Sequence, residues 1–155
     1  RTLSSKIYME LAVRMSQRSD GLTAPNPPVG VVIVKNGQIL SRGWTQLGGS
    51  PHAEIHAINQ VKNKSILKGS TMYSTLEPCS HKGKNPPCIN HIIKYEFKEV
   101  VISQKDKNPL VSGNGIKKLR SNGIRVTQRN FNDYINKSNN IFFNSINKNK
   151  PYVCL

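Results

Sequence analysis

An α/β fold, three layers deep with a five-stranded mixed sheet between helices, is what this sequence predicts. Three observations carry the prediction. Short β-branched runs alternate with helix-periodic segments, the pattern of a mainly parallel sheet with helices on both faces. Two of the runs are joined by Asn36-Gly37, a two-residue hairpin signal that makes the sheet mixed. The chain has 155 residues, the size of one domain, and a domain of that size buries roughly two thirds of its unfolded surface without disulfide help.

Each element has its own warrant. Residues 4–18 read as a helix because Ile7, Leu11 and Met15 recur at i, i+4, i+8 with Tyr8 and Ala12 beside them. Ser4 or Ser5 is placed to cap it. Residues 20–28 are a loop rich in Pro and Gly. Residues 29–34, apolar and β-branched apart from Gly30, read as a buried central strand. Residues 38–45 then form its antiparallel partner at an edge. Residues 52–63 read as a helix with Ile55, Ile58 and Val61 on one side. A strand over 71–76 and a loop over 77–87 follow. Pro86-Pro87 precedes a helical pattern carrying Ile89, Ile92 and Ile93, where first-turn N–H groups have no partner to lose. Residues 100–103 are a short buried strand. A helix with Ile116 and Leu119 ends at Gly123, and residues 124–128 are the fifth strand. A last helical pattern, over 131–147, carries Ile135, Phe142, Phe143 and Ile146. Gly113-Asn114-Gly115 has Lys118 where a dinucleotide fingerprint needs its third glycine, so it reads as a turn.

Composition narrows the function classes. Hydrophobic residues make up 36% of the chain and charged residues 20%, and the apolar runs recur too regularly for a disordered chain. The longest apolar run, 29–34, is far short of the roughly 20 residues of a membrane span. Arg1, Lys6, Glu10 and Arg14 interrupt any secretory-signal pattern. Three cysteines, an odd and sparse set, point to a reducing compartment and a cytoplasmic location. The 23 Lys+Arg against 8 Asp+Glu give a net charge of +15. Such a balance attracts polyanions. It is also what an AT-rich genome encodes, since Lys, Asn and Ile dominate. The lysines lack the aromatic interleaving of a single-strand channel, which argues against a nucleic-acid partner.

Two segments carry the chemistry. One is Pro51-His52-Ala53-Glu54; the other runs from Glu77-Pro78-Cys79 through Ser80-His81-Lys82-Gly83-Lys84-Asn85 to Pro86-Pro87-Cys88. Each ends where a helix is expected to begin. One imidazole and two thiolates, from His52, Cys79 and Cys88, suit a tetrahedral Zn2+ with its fourth position open. Helix starts favour the ionised thiolates. Mid-helix, residues two apart diverge by about 200°. In a first turn, however, side chains lean toward the N-terminus, so His52 and Glu54 can flank one point. Zinc lowers the pKa of its water toward ~7, and Glu54 is placed to take that proton and deliver it to a ring nitrogen or a departing amine. A closed structural site is the competing reading, because His56 lies four residues after His52 and His91 three after Cys88. Glu77 reads as a group that positions the loop by hydrogen bonds.

These residues resemble the cytidine-deaminase superfamily, whose signature is His-x-Glu followed by Pro-Cys-x-x-Cys. The second part departs from it, with eight residues between Cys79 and Cys88. That longer loop resembles the deaminase domain of the bifunctional riboflavin-biosynthesis deaminase/reductase family. Further segments resemble it too: Pro25-Asn26-Pro27-Pro28-Val29-Gly30, Asp106-Lys107-Asn108-Pro109-Leu110-Val111 with the glycine turn after it, and Lys150-Pro151-Tyr152-Val153. The resemblance implies a cytidine-deaminase-like fold. It also implies zinc-dependent hydrolytic deamination of 2,5-diamino-6-(5-phosphoribosylamino)pyrimidin-4(3H)-one to 5-amino-6-(5-phosphoribosylamino)uracil and ammonia. Position by position, His52, Cys79 and Cys88 match the zinc ligands and Glu54 the proton shuttle. Asn26, His81 and Lys84 match substrate contacts, and a lysine suits a phosphorylated ribose. The chain departs from the family at Thr45, where His is usual, at Asn85 for Thr and at Lys107 for Pro. The implied domains are residues 1–148, the deaminase, and 149–155, a linker or the start of a reductase. The implied partners are a reductase, on the same or another chain, and further copies of this chain in a homo-oligomer. Two other functions stay open at this point. A nucleic-acid base deaminase of the tRNA-adenosine type shares the chemistry but pairs its cysteines two residues apart. A structural zinc module would need His56 or His91 as a fourth ligand.

Overall fold

The computed structural model describes residues 2–19, 28–47, 51–78, 87–104 and 113–129. Within them the chain runs α1 (Thr2–Ser16), β1 (Gly30–Lys35), β2 (Gln38–Trp44), α2 (Ala53–Asn59), β3 (Thr71–Leu76), α3 (Cys88–Lys94), β4 (Glu99–Gln104), α4 (Asn114–Ser121) and β5 (Arg125–Gln128). The helix expected over 131–147 and the boundary expected near 148 lie outside the described residues. No helix among those described is long and apolar enough to cross a membrane.

The sheet has five strands in the order β2-β1-β3-β4-β5. It is mixed, as expected, and the reversal is confined to one strand. β1 is antiparallel to both β2 and β3, while β3, β4 and β5 pair in parallel. The cause is local. Asn36 and Gly37 take φ of 51° and 78°, the left-handed pair a tight hairpin needs, so β2 folds back beside β1. β2 and β3 therefore run the same way with β1 between them, and α2 carries the chain over β1. β1 is buried on both faces, which explains its unbroken apolar run. Val31 and Ile33 join the core beneath α2, α3 and α4, whereas Val32 and Val34 pack with Met9, Ala12 and Val13 of α1.

Two helices differ from the sequence-based expectation. α1 turns Met9, Ala12, Val13 and Ser16 inward, and Ile7 is 54% exposed. The reason is a close approach. A Cβ on Gly30 would lie 1.7 Å from the Ala12 carbonyl oxygen, so the helix rests on β1 through Ala12 and the backbone at Ser16. That seating leaves Ile7, the first of the expected Ile7–Leu11–Met15 stripe, facing solvent, while Met15 stays buried and Leu11 packs against the core. The helix begins at Thr2, so Ser4 and Ser5 lie inside it and do not cap it; the Ser5 hydroxyl instead lies 3.4 Å from that of Tyr73. α2 ends at Asn59, four residues earlier than expected. Val61 and Leu67 are still buried, because a 3-10 turn over Lys64–Leu67, opened by an Asn63 side chain that accepts from the Ser65 N–H, returns the chain to the core. The apolar spacing was real, but a second element satisfies part of it.

Candidate metal centre

Because β1 runs against its neighbours, its first residues lie at the sheet end where β2 and β3 finish. The connections to α2 and α3 leave from that same end. His52 is the residue before α2, in an extended conformation (φ −65°, ψ 161°), and its side chain makes no capping bond to the helix. The ring instead reaches across to α3: Nδ1 is 3.3 Å from Cys88 Sγ. Cys88 opens α3 directly after Pro87, which holds the N-cap position. Glu54, in the first turn of α2, is 4% exposed and Cys88 is 2% exposed.

One ligand atom each from His52, Glu54 and Cys88 lie within 4.8 Å of one another. The structure thus brings together three of the residues singled out in the sequence. The donor set fits zinc. An ion about 2.0 Å from nitrogen and about 2.3 Å from sulfur would hold tetrahedral ligands roughly 3.5 Å apart, close to the observed 3.3 Å. Among the described residues, neither His56 nor His91 belongs to the group, which removes support for the closed structural site. Cys79, Asn26, His81 and Lys84 lie outside the described residues.

Three buried polar side chains shape this end of the sheet. Glu77, the first residue past β3, accepts the Gly113 N–H through Oε1 and the Gly115 N–H through Oε2, both at 3.0 Å. A Cβ on Gly115 would lie 2.7 Å from the Pro78 carbonyl oxygen. The stretch leading to Cys79 is therefore clamped on the start of α4, the loop-positioning role expected of Glu77. Thr45 accepts the Val29 N–H on its hydroxyl at 3.0 Å and donates its own N–H to the Val29 carbonyl at 3.0 Å. Thr75 accepts the next N–H, that of Gly30, at 3.2 Å. Two hydroxyls, one from each side, thus hold the entry to β1. The role of Thr75 had no sequence signal, since a threonine inside a strand is ordinary.

His56 faces the edge strand. Its Nδ1 accepts the Trp44 backbone N–H at 3.2 Å and lies 2.9 Å from Gln46 Nε2. Burial lowers its pKa below the ordinary histidine value, opposed by a backbone hydrogen bond at Trp44.

Comparison with known proteins agrees with this geometry. Residues 3–104 match the family model described as the cytidine and deoxycytidylate deaminase zinc-binding region. A relative from Aquifex aeolicus (strain VF5), named riboflavin biosynthesis protein RibD, is 43% identical over 150 residues, 97% of this chain and 42% of that protein. A protein of Buchnera aphidicola subsp. Schizaphis graminum (strain Sg), named diaminohydroxyphosphoribosylamino-pyrimidine deaminase, is 43% identical over 149 residues, 96% of this chain and 100% of the relative. The solved structure of Acinetobacter baumannii RibD, form 1, aligns with a TM-score of 0.87 at 37% identity, over 94% of this chain and 40% of that one. The chain spans about two fifths of the length of these RibD relatives. The matched region takes in both helix starts that meet at His52 and Cys88, and on that match the chain belongs to the cytidine and deoxycytidylate deaminase zinc-binding family.

Proposed function

We propose that this chain catalyses the zinc-dependent hydrolytic deamination of 2,5-diamino-6-(5-phosphoribosylamino)pyrimidin-4(3H)-one, giving 5-amino-6-(5-phosphoribosylamino)uracil and ammonia in riboflavin biosynthesis. The observation that carries the reading is the convergence of His52, Glu54 and Cys88 within 4.8 Å. The end-to-end alignment with a relative named as the corresponding deaminase supports the choice of substrate. In this reading His52, Cys79 and Cys88 hold zinc. Zinc, when bound, supplies a Lewis acid that makes water a nucleophile near neutral pH. Glu54 takes the proton of the attacking water on its carboxylate. It delivers that proton to the ring nitrogen, then carries the remaining hydroxyl proton to the amine, which leaves as ammonia as the carbonyl forms. Burial keeps the Glu54 carboxylate largely clear of bulk water, which favours exchange of its proton with the reacting atoms.

Asn26, His81 and Lys84 contact the substrate, with Lys84 matched to the phosphate. The product passes to a reductase on the same polypeptide or on another chain. The protein works in the cytoplasm as a homo-oligomer. The experiment is direct: zinc-loaded protein is mixed with the diaminopyrimidinone phosphate and ammonia release is followed. Glu54→Gln is expected to lower turnover by about 10²–10⁴-fold with zinc content unchanged. Wild-type rates in that variant would remove Glu54 from the chemistry, and no ammonia from the wild type would sink the reading.

A further inference from the structure

The zinc reading leaves His56 without a role, yet its contacts join the two segments on either side of His52. It lies four residues into α2 and turns toward the end of edge strand β2. Its Nδ1 accepts the Trp44 N–H at 3.2 Å and lies 2.9 Å from Gln46 Nε2. The Trp44 N–H needs an acceptor, which assigns the lone pair to Nδ1. The Gln46 amide also donates to the Trp44 carbonyl at 2.8 Å. The Gln46 backbone N–H donates to the Pro51 carbonyl at 3.2 Å, and that of His56 to the His52 carbonyl at 2.9 Å. The imidazole meets the Trp44 indole edge-on, with ring centroids 4.6 Å apart. α2 has only seven residues and no side-chain cap at His52. A helix that short is not stable by itself, so its start must be held by tertiary contacts.

We propose that His56 is a positioning residue for the metal centre: it ties the β2–α2 connection to the first turn of α2, so that His52 is presented to Cys88 in the arrangement zinc needs. The inference rests on the zinc reading above, and its logic is geometric. The connection is fastened at Trp44 and Gln46 by one ring nitrogen, and fastened again at Pro51, directly before the ligand. A metal ligand must be held to within about 0.5 Å to serve, and this network supplies the restraint from the β2 end of the connection.

Zinc affinity measured by chelator competition on the purified protein tests it. His56→Leu keeps the bulk and removes the acceptor; His56→Asn places an amide oxygen where Nδ1 stands. The expected result is a zinc affinity about tenfold or more weaker in His56→Leu, and within about threefold of wild type in His56→Asn. His56→Leu binding zinc as tightly as wild type overturns the inference. So does equal weakening in both variants at matched thermal midpoints, because the acceptor is then not what matters. Should His56→Leu not fold, Gln46→Leu removes one donor and the tie to the Trp44 carbonyl; unaltered zinc affinity there overturns the inference in the same way. Wild-type protein that takes up no zinc overturns the functional reading and this inference together, whereas wild-type uptake with an unaffected variant overturns this inference alone.

Discussion

Thr45 shows how one side chain can be read two ways until its neighbours are known. By resemblance it stands where a histidine is usual, which pointed toward the substrate. In the fold it is 2% exposed, and its hydroxyl closes the β1–β2 ladder on the Val29 N–H. Removing that acceptor would strand a buried donor, a loss of about 1–3 kcal/mol. Thr45→Val is therefore expected to lower the urea midpoint markedly and Thr45→Ser only slightly. Equal stability of the valine variant would show that the hydroxyl does not serve as the acceptor. That His52, Glu54 and Cys88 could meet was legible in the sequence because they lie at two helix starts, each preceded by proline, and geometry at such starts follows from local rules. His56 was legible only as a spare ligand. Its partners are Gln46 and the backbone of Trp44, 10 and 12 residues earlier, and no periodicity links a helix residue to the outward backbone of an edge strand.

The elements themselves were legible wherever backbone chemistry decides them. Asn36-Gly37 set the hairpin, the apolar run at 29–34 set a doubly covered strand, and Gly123 at φ 81° ended α4. The face of α1 was legible only in part: Ala12 and Met15 are buried as expected but Ile7 is not, because the seating depends on what Gly30 permits as well as on the helix's own pattern. That dependence can be tested. Gly30→Ala would force the Ala12 carbonyl to move, since a Cβ there would sit 1.7 Å away, and backbone in a packed interface yields poorly. A loss of about 1–3 kcal/mol or more is expected. Gly37→Ala, with open space around its Cβ, pays only for its positive φ, about 1–2 kcal/mol. Denaturant titration that ranks Gly37→Ala as the more damaging would contradict the packing argument. The tie between β2 and α2 has a pH signature of its own. Burial holds the folded pKa of His56 below the ordinary 6.5, so the folded state binds fewer protons than the unfolded one. Its contribution is complete above that value and declines as pH falls through the folded pKa. Between about pH 7.5 and 5, His56→Asn is expected to lose stability less steeply than wild type. Parallel slopes for the two would show that His56 is not what responds.

At the scale of the molecule, the sheet core and the metal centre are separable. The larger core runs from Val29 to Val126 through β1, β3, β4, β5 and the helices α2, α3 and α4, and includes neither His52 nor Glu54, so the chain is expected to fold without zinc. The proposed ligands nonetheless come from connections far apart in sequence. His52 and Cys88 are separated by 36 positions, one before α2 and the other opening α3, and only the folded sheet brings them together. Zinc should thus bind the folded state alone and stabilise it by mass action. At free zinc 100-fold above its dissociation constant the gain is about 2.7 kcal/mol, or roughly 5–10 °C in thermal midpoint for a chain of this size. Chelator-treated protein is expected to keep its circular dichroism while melting earlier, and added zinc to restore the midpoint. Cys88→Ser should abolish most of the zinc-induced shift, whereas Glu54→Gln should keep it, because in the proposed mechanism that carboxylate serves the proton and not the metal. Loss of secondary structure on chelation would make the ion a folding element rather than a catalytic one. A midpoint indifferent to zinc would mean that the imidazole and the thiol meet for some other purpose.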